Sequence, residues 1–159
     1  MKIRTVLTLA IITVIMTMWP VSDACSHCEI PCGIYDDSMR YDMLSEHITT
    51  IEKSMSMITE LSVAGDKNYN QLVRWVVNKE NHADKFMEIV TRYFMTQRVK
   101  PTAADAGEAY DDYVKHLTYF HEMLVYAMKC KQTVDKANIE KLRELVKGSR
   151  GLYFKEHKH

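Results

Sequence analysis

His27, Cys28 and Cys32 place an imidazole and two thiols within six residues, with Pro31 directly before the second thiol, in the stretch SHCEIPCGIYD over residues 26–36. Three chemistries suit that group. Cys28 and Cys32 can close a disulfide, which an exported chain forms readily. The CSHC of residues 25–28 has the spacing of a redox Cys-x-x-Cys pair. The same atoms can also hold a metal, and which chemistry applies depends on where the mature chain begins.

Lys2 and Arg4 precede an uncharged run from Thr5 to Ser22 whose heart is VLTLAIITVIMTMW. This is the outline of a secretory signal peptide, and four threonines together with Pro20 dilute the run as a membrane anchor. Ala24 and Ser26 supply the small residues that a signal peptidase needs three places and one place before its cut, so cleavage is expected before His27. The competing cut after Ala24 would leave Cys25 first, as in a lipid-anchored protein. Asp23 and the lack of a leucine at the usual place weigh against it.

Cleavage before His27 removes Cys25 and the CSHC pattern with it. It also creates four donors from two residues: the free amine and imidazole of His27, and the amide and thiolate of Cys28. Cys32 adds a second thiolate from across the turn at Pro31 and Gly33. Two nitrogens and two sulfurs in a plane suit nickel(II) or copper(II), whereas zinc prefers a tetrahedron of side chains. Loading must displace protons from an amine and thiols with ordinary pKa values of about 8 and about 8.5, so the site is expected to load poorly in acid.

The rest of the chain must present this segment. At 159 residues, 47% hydrophobic and 26% charged, the composition is that of one ordinary globular domain. Losing residues 1–26 takes two basic and one acidic side chain from totals of 21 and 21, leaving a net charge of −1. That balance gives no electrostatic case for nucleic acid or an anionic membrane.

Leu44, Ile48, Ile51, Met55 and Ile58 recur at helical spacing, and Gly65 with Asp66 marks the turn to the next helix. A second helix is predicted from about Asn68 toward Pro101, with Leu72, Val73, Val76, Ala83, Met87, Val90 and Phe94 inward. Thr102 and Asp105 read as a capping box before a third stripe of Tyr113, Leu117, Phe120, Leu124 and Ala127. A fourth helix from about Val134 to Lys147 carries Ile139, Leu142, Leu145 and Val146 and is expected to close at Gly148.

The fold class is therefore all-α, a four-helix bundle with an N-terminal metal-binding hook. Its expected organisation is a removed signal peptide over 1–26, the hook over 27–35, the bundle over 36–148 and a C-terminal tail over 149–159.

Other chemistries are poorly supported. The Glu-x-x-His pairs of di-iron bundles are represented by Glu156 with His159, in the tail. His47, His82, His116 and His121 lie on predicted helices without an i, i+4 partner and read as surface or polar-network residues. Cys130 reads as a small buried hydrophobe.

HCEIPCGIYD resembles the nickel hook of nickel-containing superoxide dismutases, His-Cys-x-x-Pro-Cys-Gly-x-Tyr at a processed N-terminus, and matches every fixed position. The resemblance covers essentially all of the chain after Ser26. It implies that the His27 amine and imidazole, the Cys28 amide and thiolate and the Cys32 thiolate bind one nickel ion per chain. It further implies that Tyr35 screens the open axial face, that Tyr93 is a second tyrosine near the site, and that Asp42 orients the ligand histidine. Asn78 stands where the family has a buried arginine.

The implied reaction is dismutation of superoxide to oxygen and hydrogen peroxide through a nickel(III)/nickel(II) cycle. The implied assembly is a homohexamer, exported to the periplasm or extracellular space and free of the membrane after processing. Two rivals keep the same residues: an exported helical binding protein with a Cys28–Cys32 disulfide, and a copper or nickel carrier.

Overall fold

The computed structural model describes residues 36–63 and 66–156, all of it helix and connection, with no strand among the described residues. Helix α1 spans Asp37–Val63. A single 3-10 turn over Asp66–Asn68 leads into α2, Tyr69–Glu88, which runs without a break into a π-helical stretch over Ile89–Arg98. Helices α3, Glu108–Gln132, and α4, Ala137–Glu156, complete the bundle. No helix of the described residues is long and apolar enough to cross a membrane. Gly65, expected to turn the chain between the first two helices, lies outside the described residues.

Each helix contributes one apolar face. Tyr41, Leu44, Ile48, Ile51 and Met55 come from α1, Ala83 and Phe86 from α2, and Phe120, Met123, Ala127 and Cys130 from α3. Ile139, Leu142, Leu145, Val146 and Tyr153 come from α4. Burying each large side chain contributes about 1.5–3 kcal/mol, which offsets the backbone entropy of so much ordered helix. Toward the N-terminal end of α1 the core is aromatic. Phe94 stacks on Phe120 with centroids 5.3 Å apart and meets Tyr41 at 4.6 Å and Tyr153 at 5.7 Å.

Four expectations need correction. Val73 and Val76 face outward, 59% and 38% exposed, while Lys79 on the same helix is buried. Lys79 Nζ donates to the carbonyls of Cys130 (2.8 Å), Lys131 and Thr133 (3.3 Å), the groups that the end of α3 leaves without helical partners. A buried cation thus takes the place that the valine spacing had suggested for an apolar residue.

The inward stripe of α3 is rotated from the one expected. His116, Phe120, Met123, Ala127 and Cys130 are buried, whereas Tyr113, Leu117 and Leu124 lie half-buried on its flank. That helix begins at Glu108, after Gly107 in a left-handed conformation with φ of 62°, so Thr102 and Asp105 precede it and form no capping box.

Finally, α4 does not close at Gly148. It continues to Glu156, because Ser149 and Tyr153 extend its buried face, with Ser149 Oγ 2.9 Å from the Tyr41 hydroxyl. Much of the segment expected as a tail is thus packed helix.

Candidate metal centre and the residues that support it

His27, Cys28, Cys32 and Tyr35 lie outside the described residues, which begin one residue after Tyr35. The described residues begin with the start of α1. Asp36 caps α1, its Oδ1 accepting the Ser38 amide at 2.8 Å. Asp37 then occupies the first turn, where a carboxylate suits the positive end of the helix.

Asp37 is held from two other elements. Tyr93 donates its hydroxyl to Oδ1, and Arg98 donates Nη2 to Oδ2. From α4 the Tyr153 hydroxyl donates to Oδ2 at 2.7 Å, and Arg98 Nε reaches that same hydroxyl at 3.2 Å. The winding of the helix makes this possible. An α-helix stacks residues four apart, but a π-helix closes its hydrogen bonds on the fifth residue, so positions five apart share a face. Tyr93 and Arg98 are such a pair, and the stretch ends with Val99 N–H bonding back to the Phe94 carbonyl at 2.9 Å.

The charges in the cluster reinforce one another. Burial on its own raises the Asp37 carboxyl, but the hydrogen bonds from Tyr93, Arg98 and Tyr153 and the charge of Arg98 outweigh it and hold the group below the usual carboxylate range. Burial, and then the carboxylate it faces, pushes the Tyr93 phenol up to about 12. The Tyr153 phenol is raised for the same reasons. Arg98 is raised by Asp37 and Tyr153 against the cost of its burial. Arg40 covers one face of Tyr93, its guanidinium carbon 4.8 Å from the ring centroid. A cleft of about 470 Å³ opens beside the cluster, lined by Arg98, Lys100, Glu108, Asp112, His116 and Tyr153 among others.

Of the residues singled out in the sequence, Tyr93 sits in this cluster and Asp42 does not. Asp42 is 64% exposed and accepts from Arg150 Nη1 at 2.6 Å; Arg150 also donates to Ser38 Oγ at 2.8 Å. Asn78 bonds Ser54 at 3.0 Å, 17 residues along α1 from Asp37 and so about 25 Å away at the helical rise. The guanidinium that meets Asp37, the first residue of α1, is that of Arg98. Asp37, Arg98 and Tyr153 were missed in the sequence because no local spacing links them. Their one signal is that each is a polar residue on or beside an otherwise apolar helix face.

A family model for nickel-containing superoxide dismutase matches residues 22–158 of the chain. No curated protein and no solved structure matches it.

Proposed function

The chain belongs to the nickel-containing superoxide dismutase family, and on that footing we propose that it binds one nickel ion through His27, Cys28 and Cys32 after a signal peptide is removed before His27. Its activity is that of the family, an oxidoreductase acting on superoxide. The observation that carries the reading is the match itself, which spans the hook and the whole bundle.

The donor set fits the metal: a terminal amine, an amide nitrogen and two thiolates form the tetragonal, anionic set that nickel(II) accepts and that stabilises a higher oxidation state. Nickel, when bound, supplies the one-electron couple through which superoxide is alternately oxidised and reduced. The residues of the chain supply the setting. Asp37 follows Cys32 by five residues and Tyr35 by two, and the hydrogen bonds on Asp37 fix the start of α1.

Tyr35 screens the metal. Tyr93 keeps its proton at physiological pH and donates a hydrogen bond to Asp37, so it serves as a positioning residue and not as the proton source. Asp42 orients the His27 imidazole through the carboxylate that Arg150 already steadies at Oδ1.

The assembly we propose is a homohexamer. Tyr69, Val73, Val76 and Val77 support it, an apolar strip on α2 that the single chain leaves exposed at 63%, 59%, 38% and 49%. The charge pattern of residues 1–26 supports export to the periplasm or extracellular space.

A native intact-mass spectrum of the exported protein tests these points together. The expected species starts at His27 and carries one nickel per chain. A metal-free chain lighter by two hydrogens would overturn the metal reading in favour of a Cys28–Cys32 disulfide.

A further inference from the structure

His47 on α1 and His82 on α2 face each other across the helix interface, Nδ1 to Nδ1 at 3.0 Å, with their rings edge-to-face at 71°. The two residues are 35 positions apart, so no motif announces them. We propose that His47 and His82 form a second metal site, taking a divalent first-row transition cation such as zinc(II) between α1 and α2, with water completing its shell.

The separation is that of two ligand atoms on one metal. At metal–nitrogen distances of about 2.0–2.1 Å, neighbouring ligands lie about 3.0 Å apart at a right angle and about 3.4 Å apart in a tetrahedron. The nitrogen–nitrogen separation therefore changes by at most a few tenths of an ångström when a cation enters, while the rings tilt to turn both lone pairs onto it. Imidazole is a ligand that zinc, copper and nickel all accept.

The protonation state also suits a ligand. In the metal-free contact one Nδ1 donates to the other, so the donor ring must shift its proton to Nε2 for both lone pairs to converge. That is a change of tautomer and requires no net loss of a proton. Burial lowers the pKa of both rings, and the charge of Lys85 lowers both further, as His82 does for His47; Glu46 opposes the shift in each. Both rings are neutral at neutral pH, the state in which they can ligate.

No third His, Cys, Asp or Glu completes a cluster here among the described residues. The protein ligands of the site are the two imidazoles alone, and the negative charge of Glu46, felt by both rings, favours a cation between them. Lys85 opposes a cation at the same point. The site shares no ligand with the nickel hook and does not rest on the dismutase reading.

The test uses the full chain carrying His27→Ala, Cys28→Ser and Cys32→Ser, so that the hook loses all three ligand side chains, dialysed against zinc(II) at pH 7.5. The expected result is one zinc per chain, a higher melting temperature with zinc than with a chelator, and loss of both effects when His82→Gln is added. His82 is half-exposed, so this variant keeps the fold, which far-UV circular dichroism checks. Lys85→Gln is expected to tighten zinc binding several-fold. Failure of the parent to take up zinc, or unchanged uptake after His82→Gln, would overturn the proposal.

Discussion

Tyr93 and Arg98, five residues apart, grip the two oxygens of one carboxylate because the helix between them is wound with five-residue closure. A long π-helical stretch is uncommon, and its hydrogen-bond geometry is poorer than that of an α-helix. Here the loss is offset by aligning a phenol and a guanidinium on Asp37, at the start of α1, directly after the hook segment. The sequence-to-function path therefore runs through backbone winding as well as through the ligands.

Arg98→Lys tests whether the forked shape matters. Arg98 reaches Asp37 through Nη2 and the Tyr153 hydroxyl through Nε, a geometry that one ammonium cannot reproduce. A buried charge-assisted contact contributes about 1.5–3 kcal/mol, and the substitution is expected to destabilise the bundle by that order. The urea midpoint should fall with an unchanged slope, and no fall would show that the cluster holds without the fork.

The same cluster sets a pH dependence at both ends. Asp37 titrates below its ordinary 3.8 in the fold, so its stabilisation is present above that value and is lost as pH falls through the depressed folded value. Tyr93 is raised from 10.0 to about 12, so its contribution is present below pH 10 and is lost as pH rises through 12. Alkaline ultraviolet titration should show Tyr93 and Tyr153 ionising later than the other tyrosines of the folded protein, and Tyr93→Phe should remove one of these two late ionisations and leave that of Tyr153.

How much of this was legible beforehand varies by element. The stripe of α1 was readable because Leu44, Ile48, Ile51 and Met55 are apolar, regularly spaced and buried as the spacing implies. In α2 the valines misled, because periodicity reports a stripe but not which way it faces; Lys79 turned inward to satisfy the end of α3. In α3 the aliphatic and aromatic residues span more than one face, so the true centre, with His116 and Cys130 on it, was not distinguishable by spacing. The hook motif stands out in the sequence because His27, Cys28 and Cys32 fall within six positions, and those residues lie outside the described ones. The Asp37 cluster does not stand out, since its members at 37, 93, 98 and 153 meet only in the folded chain.

Lys79→Met measures what the buried cation contributes. Removing it leaves the carbonyls of Cys130, Lys131 and Thr133 without its ammonium and takes a positive charge from the negative end of α3. The expected destabilisation is about 1.5–3 kcal/mol, and hydrogen exchange should rise first in the last turn of α3. Unchanged exchange there would show that the carbonyls find water instead.

Gly148 and Gly151 separate helix propensity from packing within α4. Glycine inside a helix costs about 1 kcal/mol relative to alanine. Gly151→Ala, whose new Cβ would meet nothing within 4 Å, is expected to stabilise by about that amount. At Gly148 the Cβ would lie 2.8 Å from the Tyr119 ring and hydroxyl, so Gly148→Ala is expected to lose the gain and destabilise. Adding Tyr119→Leu should restore the benefit; if it does not, the obstacle at 148 is not the tyrosine.

Thiol reactivity separates the hook from the core, and with it the metal reading from the disulfide one. Cys130 is fully buried and its thiol is pushed up to about 11, chiefly by desolvation, so almost none of it is thiolate at neutral pH. In reduced, metal-free protein iodoacetamide is therefore expected to modify Cys28 and Cys32 and to spare Cys130. Loading nickel before the reagent should protect both hook thiols and preserve dismutation, because a ligated thiolate has its lone pairs engaged. Cys32→Ser should remove activity while the bundle remains helical, since Cys32 precedes the first described element by five residues. Full activity in that variant would sink the assignment of Cys32 as a ligand, and modification of Cys130 ahead of the hook would show that the core opens more readily than its burial implies.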